Sequence, residues 1–155
     1  LLNEDPELNE AGDEEEASSR DRPLHAACYA GSTEAACCLL DRGAAIDSRN
    51  DNGDTPLMRA CSAGHAAVVS MLLARGADPA AVASKSWTAL MCASGGHERR
   101  GVDYVESIRL LLKDGRARVD ARNVYGDTAL LLACLCGHPE KARVLLLEGN
   151  ADHTI

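Results

Sequence analysis

The sequence predicts an all-α chain built as a solenoid of about four helix-turn-helix units. Three observations predict it. One stretch reads as a complete turn-helix-turn-helix unit, it recurs at near-constant spacing, and each copy closes on a Leu-Leu pair followed by glycine. The clearest copy is residues 53–78. Asn52-Gly53 is a tight-turn dipeptide, because glycine tolerates positive φ. Thr55 can cap the free amides of a helix start, and Pro56 sits at the first helical position, where its missing N–H costs nothing. Leu57, Ala60 and Cys61 fall on one helical face. Gly64 stops that helix. Val68, Val69, Leu72 and Leu73 form the stripe of a second, which Gly76 ends. Neither helix can bury its stripe alone, so units must stack.

Thr88-Ala89-Leu90 lies 33 residues after Thr55-Pro56-Leu57, and Arg22-Pro23-Leu24-His25 lies 33 before it; Thr128-Ala129-Leu130 follows Thr88 by 40. The closing pairs are Leu39-Leu40 before Gly43, Leu72-Leu73 before Gly76, Leu111-Leu112 before Gly115 and Leu146-Leu147 before Gly149. A period of about 33 with this punctuation is a repeat signature. On Pro23-Leu24-His25, Gly53-Asp54-Thr55-Pro56-Leu57, Gly64-His65, Gly76-Ala77-Asp78, Gly126-Asp127-Thr128-Ala129-Leu130 and Gly137-His138, residues 20–155 resemble the ankyrin repeat family. The resemblance implies an ankyrin repeat solenoid whose helix pairs are joined by β-hairpin fingers. It also implies a recognition scaffold, which by itself fixes no one function.

Residues 1–19 admit two readings. A block of like charge repels itself and forms a disordered acidic tail. In the reading the pattern favours, Leu1-Leu2 closes the second helix of an upstream repeat, and Pro6-Glu7-Leu8 with Asp13 opens the connecting finger. The sequence starts at Leu, so an internal piece of a longer chain is expected. Unit 1, residues 20–52, has Arg22 where Thr would cap, and Asp21 or Ser19 is expected to cap instead. Unit 2, residues 53–85, is the most regular, with an apolar exit at Pro79-Ala80-Ala81-Val82-Ala83. In unit 3, residues 86–125, Ser86 replaces the turn glycine and Trp87 follows. Its first helix ends at Gly95-Gly96-His97. An insertion at 98–103 delays a second helix striped by Tyr104, Ile108, Leu111 and Leu112. Insertions between the helices of a repeat map to loops. Unit 4, residues 126–155, has a first helix that is apolar nearly all round. Terminal repeats present a polar outer face, and Leu131 and Leu135 do not fit one. Further chain or a partner is expected to cover this end.

Composition narrows the function. There is no Phe and one Trp, so the core must be Leu, Val, Ala and Cys. No apolar run approaches the roughly 20 residues that span a bilayer, so no membrane insertion is expected. The net charge is −8, and the eight acids of residues 1–19 account for the whole excess. The repeat body is balanced and carries no basic stripe, which disfavours direct nucleic-acid binding. Seven cysteines are an odd number. Cys28, Cys61 and Cys134 hold one repeat position, the small buried residue of the first helix, where a free thiol acts as a small hydrophobe. Reduced thiols imply a cytoplasmic or nuclear protein.

No catalytic or metal chemistry stands clear of the repeat. In Cys134-x-Cys136-x-His138, residues two apart point to different sides of a helix, and the repeat explains Cys134 and His138 without zinc. Cys37-Cys38 carries no further ligand signal. His25, His65 and His138 occupy positions that the family pattern accounts for, so a cysteine–histidine nucleophile is not supported. No metal, cofactor or catalytic residue is expected, and the chain is read as a non-enzyme.

The informative positions are those the repeat leaves free. The resemblance implies that partners dock on finger tips and on the exposed side of the first helices. Here these are Tyr29 in unit 1, Asp51, Asn52, Asp54, Arg59 and Ser62 around unit 2, Lys85 and Trp87 for unit 3, and Arg122, Val124, Tyr125, Asp127 and Leu135 for unit 4. Arg49 joins the charged rim. Aromatic residues are rare in this chain, yet Tyr29, Trp87 and Tyr125 all fall on such positions, and exposed aromatics are the usual anchors of binding. The alternative for Trp87 is packing against a neighbouring finger where the glycine is missing. The resulting expectation is a module that binds a partner protein and catalyses nothing. Alternatives are a structural segment of a large multiprotein assembly, flanked by further repeats or a complex subunit, and a regulatory segment of an enzyme whose catalytic domain lies outside this chain.

Overall fold

The computed structural model describes residues 21–95 and 104–154. The acidic segment 1–19 and the insertion 98–103 lie outside the described residues. Eight α-helices are described, two per unit: α1 (Pro23–Tyr29), α2 (Thr33–Asp41), α3 (Pro56–Ala63), α4 (Ala66–Ala74), α5 (Ala89–Gly95), α6 (Tyr104–Asp114), α7 (Ala129–Leu135) and α8 (Pro139–Leu147). The first helices α1, α3, α5 and α7 stack in order as an inner layer. Each packs on its own second helix, and α2, α4, α6 and α8 stack behind them.

The first helices are short because both ends are written in the sequence. Thr55, Thr88 and Thr128 each accept an N–H from the residue three positions on, at 3.3, 3.3 and 3.2 Å. Such a cap contributes about 1 kcal/mol. Gly64 ends α3 in the left-handed region at φ +75, and His65 N–H closes the turn on Ala60 O at 3.1 Å. α1 departs from the expectation. Arg22 holds the cap position without a side-chain hydrogen bond. The Asp21 carboxylate accepts from Asn50 Nδ2 at 2.8 Å in the first finger and pairs with Arg59 of the next unit at 2.9 Å.

The core follows the predicted stripes. Leu57, Ala60, Cys61, Val68, Val69 and Leu72 are fully buried, as are Ile108 and Leu111, with Tyr104 beside them. Two expectations are corrected in the last unit. Leu145 is the buried leucine, while Leu146 and Leu147 are 40% and 75% exposed. A shift of one residue turns a helical side chain by about 100°. Cys134 is exposed, unlike Cys28 and Cys61. Among the described residues no later first helix packs on α7 to cover it.

The exit of α8 also runs one residue longer than its counterparts. Ala77 N–H reaches Leu72 O, five residues back, whereas Ala151 N–H reaches Leu145 O, six back. Asn150 rather than Gly149 takes the left-handed conformation, at φ +51. Gly149 is needed for another reason: a Cβ there would lie 2.7 Å from Leu145 O.

The fingers join α2 to α3, α4 to α5 and α6 to α7. Among the described residues they contain no strand, only an isolated antiparallel bridge between Val82 and Thr88. In the first and third fingers one asparagine closes the loop. Asn50 Oδ1 accepts the N–H groups of Asn52 and Asp54 at 3.0 and 2.9 Å, and Asn123 Oδ1 accepts those of Tyr125 and Asp127 at 2.9 Å each. The middle finger has Ala83 in that place. Its tip is instead a short 3-10 turn, Ser84–Ser86, with Lys85 and Ser86 at φ +57 and +61. Neighbouring fingers are tied by backbone bonds, Ser84 N–H to Asn52 O and Val124 N–H to Lys85 O, both 3.0 Å.

Candidate functional site

The inner helices and finger tips form a concave groove between the second and third units. Its volume is about 410 Å³, and its lining is Asn52, Asp54, Met58, Arg59, Ser62, Ser84, Lys85, Trp87, Cys92 and Gly95. The repeat places each of these. Arg59 and Cys92 hold the same position of α3 and α5, one repeat apart, as do Ser62 and Gly95. Trp87 stands where the other fingers carry Asp54 and Asp127. Its ring is half-buried against the core, and its Cη2 atom lies 3.8 Å from where a Cβ on Gly95 would stand. The indole thus lies along α5 at ordinary van der Waals distance from that position, and the exposed part of the ring lines the groove.

Arg59 is held by what surrounds it. Its guanidinium lies 4.3 Å over the Tyr29 ring and 2.9 Å from Asp21, and its Nε–H is buried without an acceptor among the described residues. Stacking on an aromatic face and an ion pair fix the fork in one orientation. Tyr29 is tied down in turn, because His65 Nε2 hydrogen-bonds its carbonyl at 3.0 Å. On the other wall the Lys85 ammonium lies 5.6 Å from the Tyr125 ring centroid. The Tyr125 hydroxyl raises the Lys85 pKa and so favours its charged form. Burial, reinforced by the Asp54 charge, pushes the Cys92 thiol up to about 12 against the opposing effect of Arg59. Cys92 therefore offers the groove a neutral thiol.

Of the residues singled out from sequence, the groove brings together Asn52, Asp54, Arg59, Ser62, Lys85 and Trp87. Tyr29 lies beneath Arg59, and Tyr125 beside Lys85. Asp51 is exposed at the tip of the first finger. Arg49 stitches fingers, donating to Gly53 O at 2.9 Å and to Val82 O. Asp127 is turned to Asn123 Nδ2 at 3.2 Å. Arg122 lines a separate depression with Val82, Ser86 and Arg118, and Leu135, 69% exposed, ends α7 on the outer face of the last unit. Sequence reasoning missed Met58, Ser84, Cys92 and Gly95. Moving Arg59 and Ser62 forward by one repeat would have found the last two. Among the described residues no three His, Cys, Asp or Glu gather as metal ligands, and no helix is long and apolar enough to cross a membrane.

A family model described as ankyrin repeats (3 copies) matches residues 1–83 and 80–155. Two relatives are both called ankyrin repeat domain-containing protein 29. The Danio rerio protein is 45% identical over 42 residues, 27% of this chain and 14% of its own. The Homo sapiens protein is 38% identical over 65 residues, 42% of this chain and 21% of its own. The matched stretches thus span about a fifth or less of these relatives' length.

Proposed function

Because the chain belongs to the ankyrin repeat family, whose repeats mediate protein–protein interaction, we propose that it seats a segment of a partner protein in the groove between its second and third units. In this reading the module is non-catalytic, as the family typically is. Trp87 is the apolar anchor, Arg59 and Lys85 are the cationic walls, and Asn52, Ser62 and Ser84 are hydrogen-bonding groups around them. One observation carries the reading: a half-buried indole and an immobilised guanidinium face one concave space of about 410 Å³. Aromatic and arginine side chains in such settings dominate binding energetics. The balanced charge of the repeat body favours a protein partner over nucleic acid. Buried thiols at Cys28 and Cys61 support residence in a reducing compartment, cytoplasm or nucleus. A second reading, a segment of a larger assembly, is favoured by the apolar outer face of the last unit.

A displayed peptide library panned against the chain supplies the test. Recovered peptides should bind Trp87→Ala about thirtyfold more weakly, corresponding to about 2 kcal/mol for a central anchor. Glu34→Ala, on the exposed side of α2, should bind them like the unmodified chain. Recovered peptides indifferent to both Trp87→Ala and Arg59→Ala, with helicity intact, would overturn the reading.

A further inference from the structure

Among the described residues the exposed large apolar side chains are gathered at one end. Val124, Tyr125, Leu131, Leu135, Leu146 and Leu147 all belong to the last unit or to the finger that enters it, and of those described only Val82 lies elsewhere. Singly exposed leucines need no explanation, but a contiguous apolar face does.

Repeat register says what each position does when a further unit follows. Cys28 and Cys61 are fully buried, as is Ser94 in the same position of α5; Cys134 is exposed. Met58 and Met91 are 1% exposed, and their counterpart Leu131 is 39% exposed. The polar atoms tell the same story. Asn52 O accepts from the next finger's Ser84 N–H, and Lys85 O from Val124 N–H; the third such carbonyl, that of Tyr125, receives no N–H among the described residues. Arg49 reaches Val82 O in the following finger. Arg122 holds the same position on the last finger, and among the described residues its guanidinium makes no hydrogen bond or ion pair; the Asp152 carboxylate feels it only at longer range.

We propose that the outer face of α7 and α8, with the finger around Arg122 and Tyr125, is a docking surface for one more helix-turn-helix unit of the same kind, continuing the stack. Arg122 would donate to a carbonyl of the incoming finger, the Tyr125 carbonyl would accept its backbone N–H, and Leu131, Cys134 and Leu135 would be covered by its first helix. The surface continues an interface already formed three times within the chain, α1 on α3, α3 on α5 and α5 on α7. The argument is independent of the groove and of Trp87.

The test joins an in-phase unit, a copy of residues 46–78 with Glu and Lys on its outward face, after Asp152. The melting temperature should rise by about 5 °C or more, since repeat stability adds through neighbour contacts. Alkylation of Cys134 should slow by on the order of tenfold, while that of Cys38, exposed on α2, is unchanged. Leu135→Asp should abolish the gain and Arg122→Ala should reduce it, with neither lowering the melting temperature of the unextended chain. Cys134 remaining as reactive as before in the extended chain overturns the proposal, whether or not the added unit becomes helical. So does a dimer of the unextended chain in light scattering that Leu135→Asp dissociates, because the face would then belong to a second copy.

Discussion

Gly31→Ala isolates one contact between the first two units. Gly31 sits at φ +76, and a Cβ placed there meets three His65 ring atoms at 2.7 to 2.9 Å. That ring is not free to retreat, because Nε2 hydrogen-bonds Tyr29 O at 3.0 Å. Forcing an L-residue into the left-handed region costs about 1–2 kcal/mol, and losing the histidine bond adds about 1 kcal/mol. The expected destabilisation is about 2–3 kcal/mol, or roughly 5–10 °C in melting temperature for a chain of this size. Gly43 provides the control. Its φ is +89 and nothing lies within 4 Å of its Cβ position, so Gly43→Ala should carry the backbone cost alone. Urea denaturation of both variants followed by circular dichroism measures the difference. A double-mutant cycle with His65→Ala should recover the excess as coupling. Equal costs at Gly31 and Gly43, or no coupling to His65, would refute the reasoning.

The remaining predictions concern stability. Burial pushes the Cys28 thiol up to about 12 and raises Cys61 well above the ordinary value of 9.0. An unfolded chain releases these protons near pH 9 while the folded chain keeps them, so stability is full below about pH 9 and is lost as pH climbs toward 12. Urea midpoints at pH 8 and pH 10.5 should show that fall, and Cys61→Ala should flatten it. Thr55→Ala and Thr128→Ala remove equivalent caps and should each cost about 1 kcal/mol by the same measurement.

The fold was legible because the glycines, the Thr-Pro-Leu starts and the leucine stripes repeat in phase, so each unit checked the others. Register failed where phase was read from residue identity rather than position: Leu145-Leu146-Leu147 offers two leucine pairs, and only burial shows that Leu145 faces the core. The burial of Cys28 and Cys61 was readable from the repeat, but the exposure of Cys134 depends on what stacks outside it. Six of the ten groove residues were readable, among them Trp87 and Arg59, because they stand at positions the repeat leaves open. Arg49 misled, since a charged residue near a tip looks like a rim contact until its acceptors on two fingers are seen. Asp21 shows the opposite: read from sequence only as a cap, its carboxylate holds the groove's arginine.

The asparagine that closes the outer fingers has a consequence for how recognition can change. At Asn50 and Asn123 the loop's shape is written in a side chain set back from the tip. Asp51 and Asn52, or Val124 and Tyr125, can therefore be exchanged for other chemistry while the scaffold beneath them stays put. The middle finger has no such division of labour. Lys85 and Ser86 hold the turn with their own backbones, in a conformation most side chains resist. The same lysine also faces the groove. Retuning this module for a new partner should thus be easy at two fingers. At the third, every change of chemistry is also a change of shape.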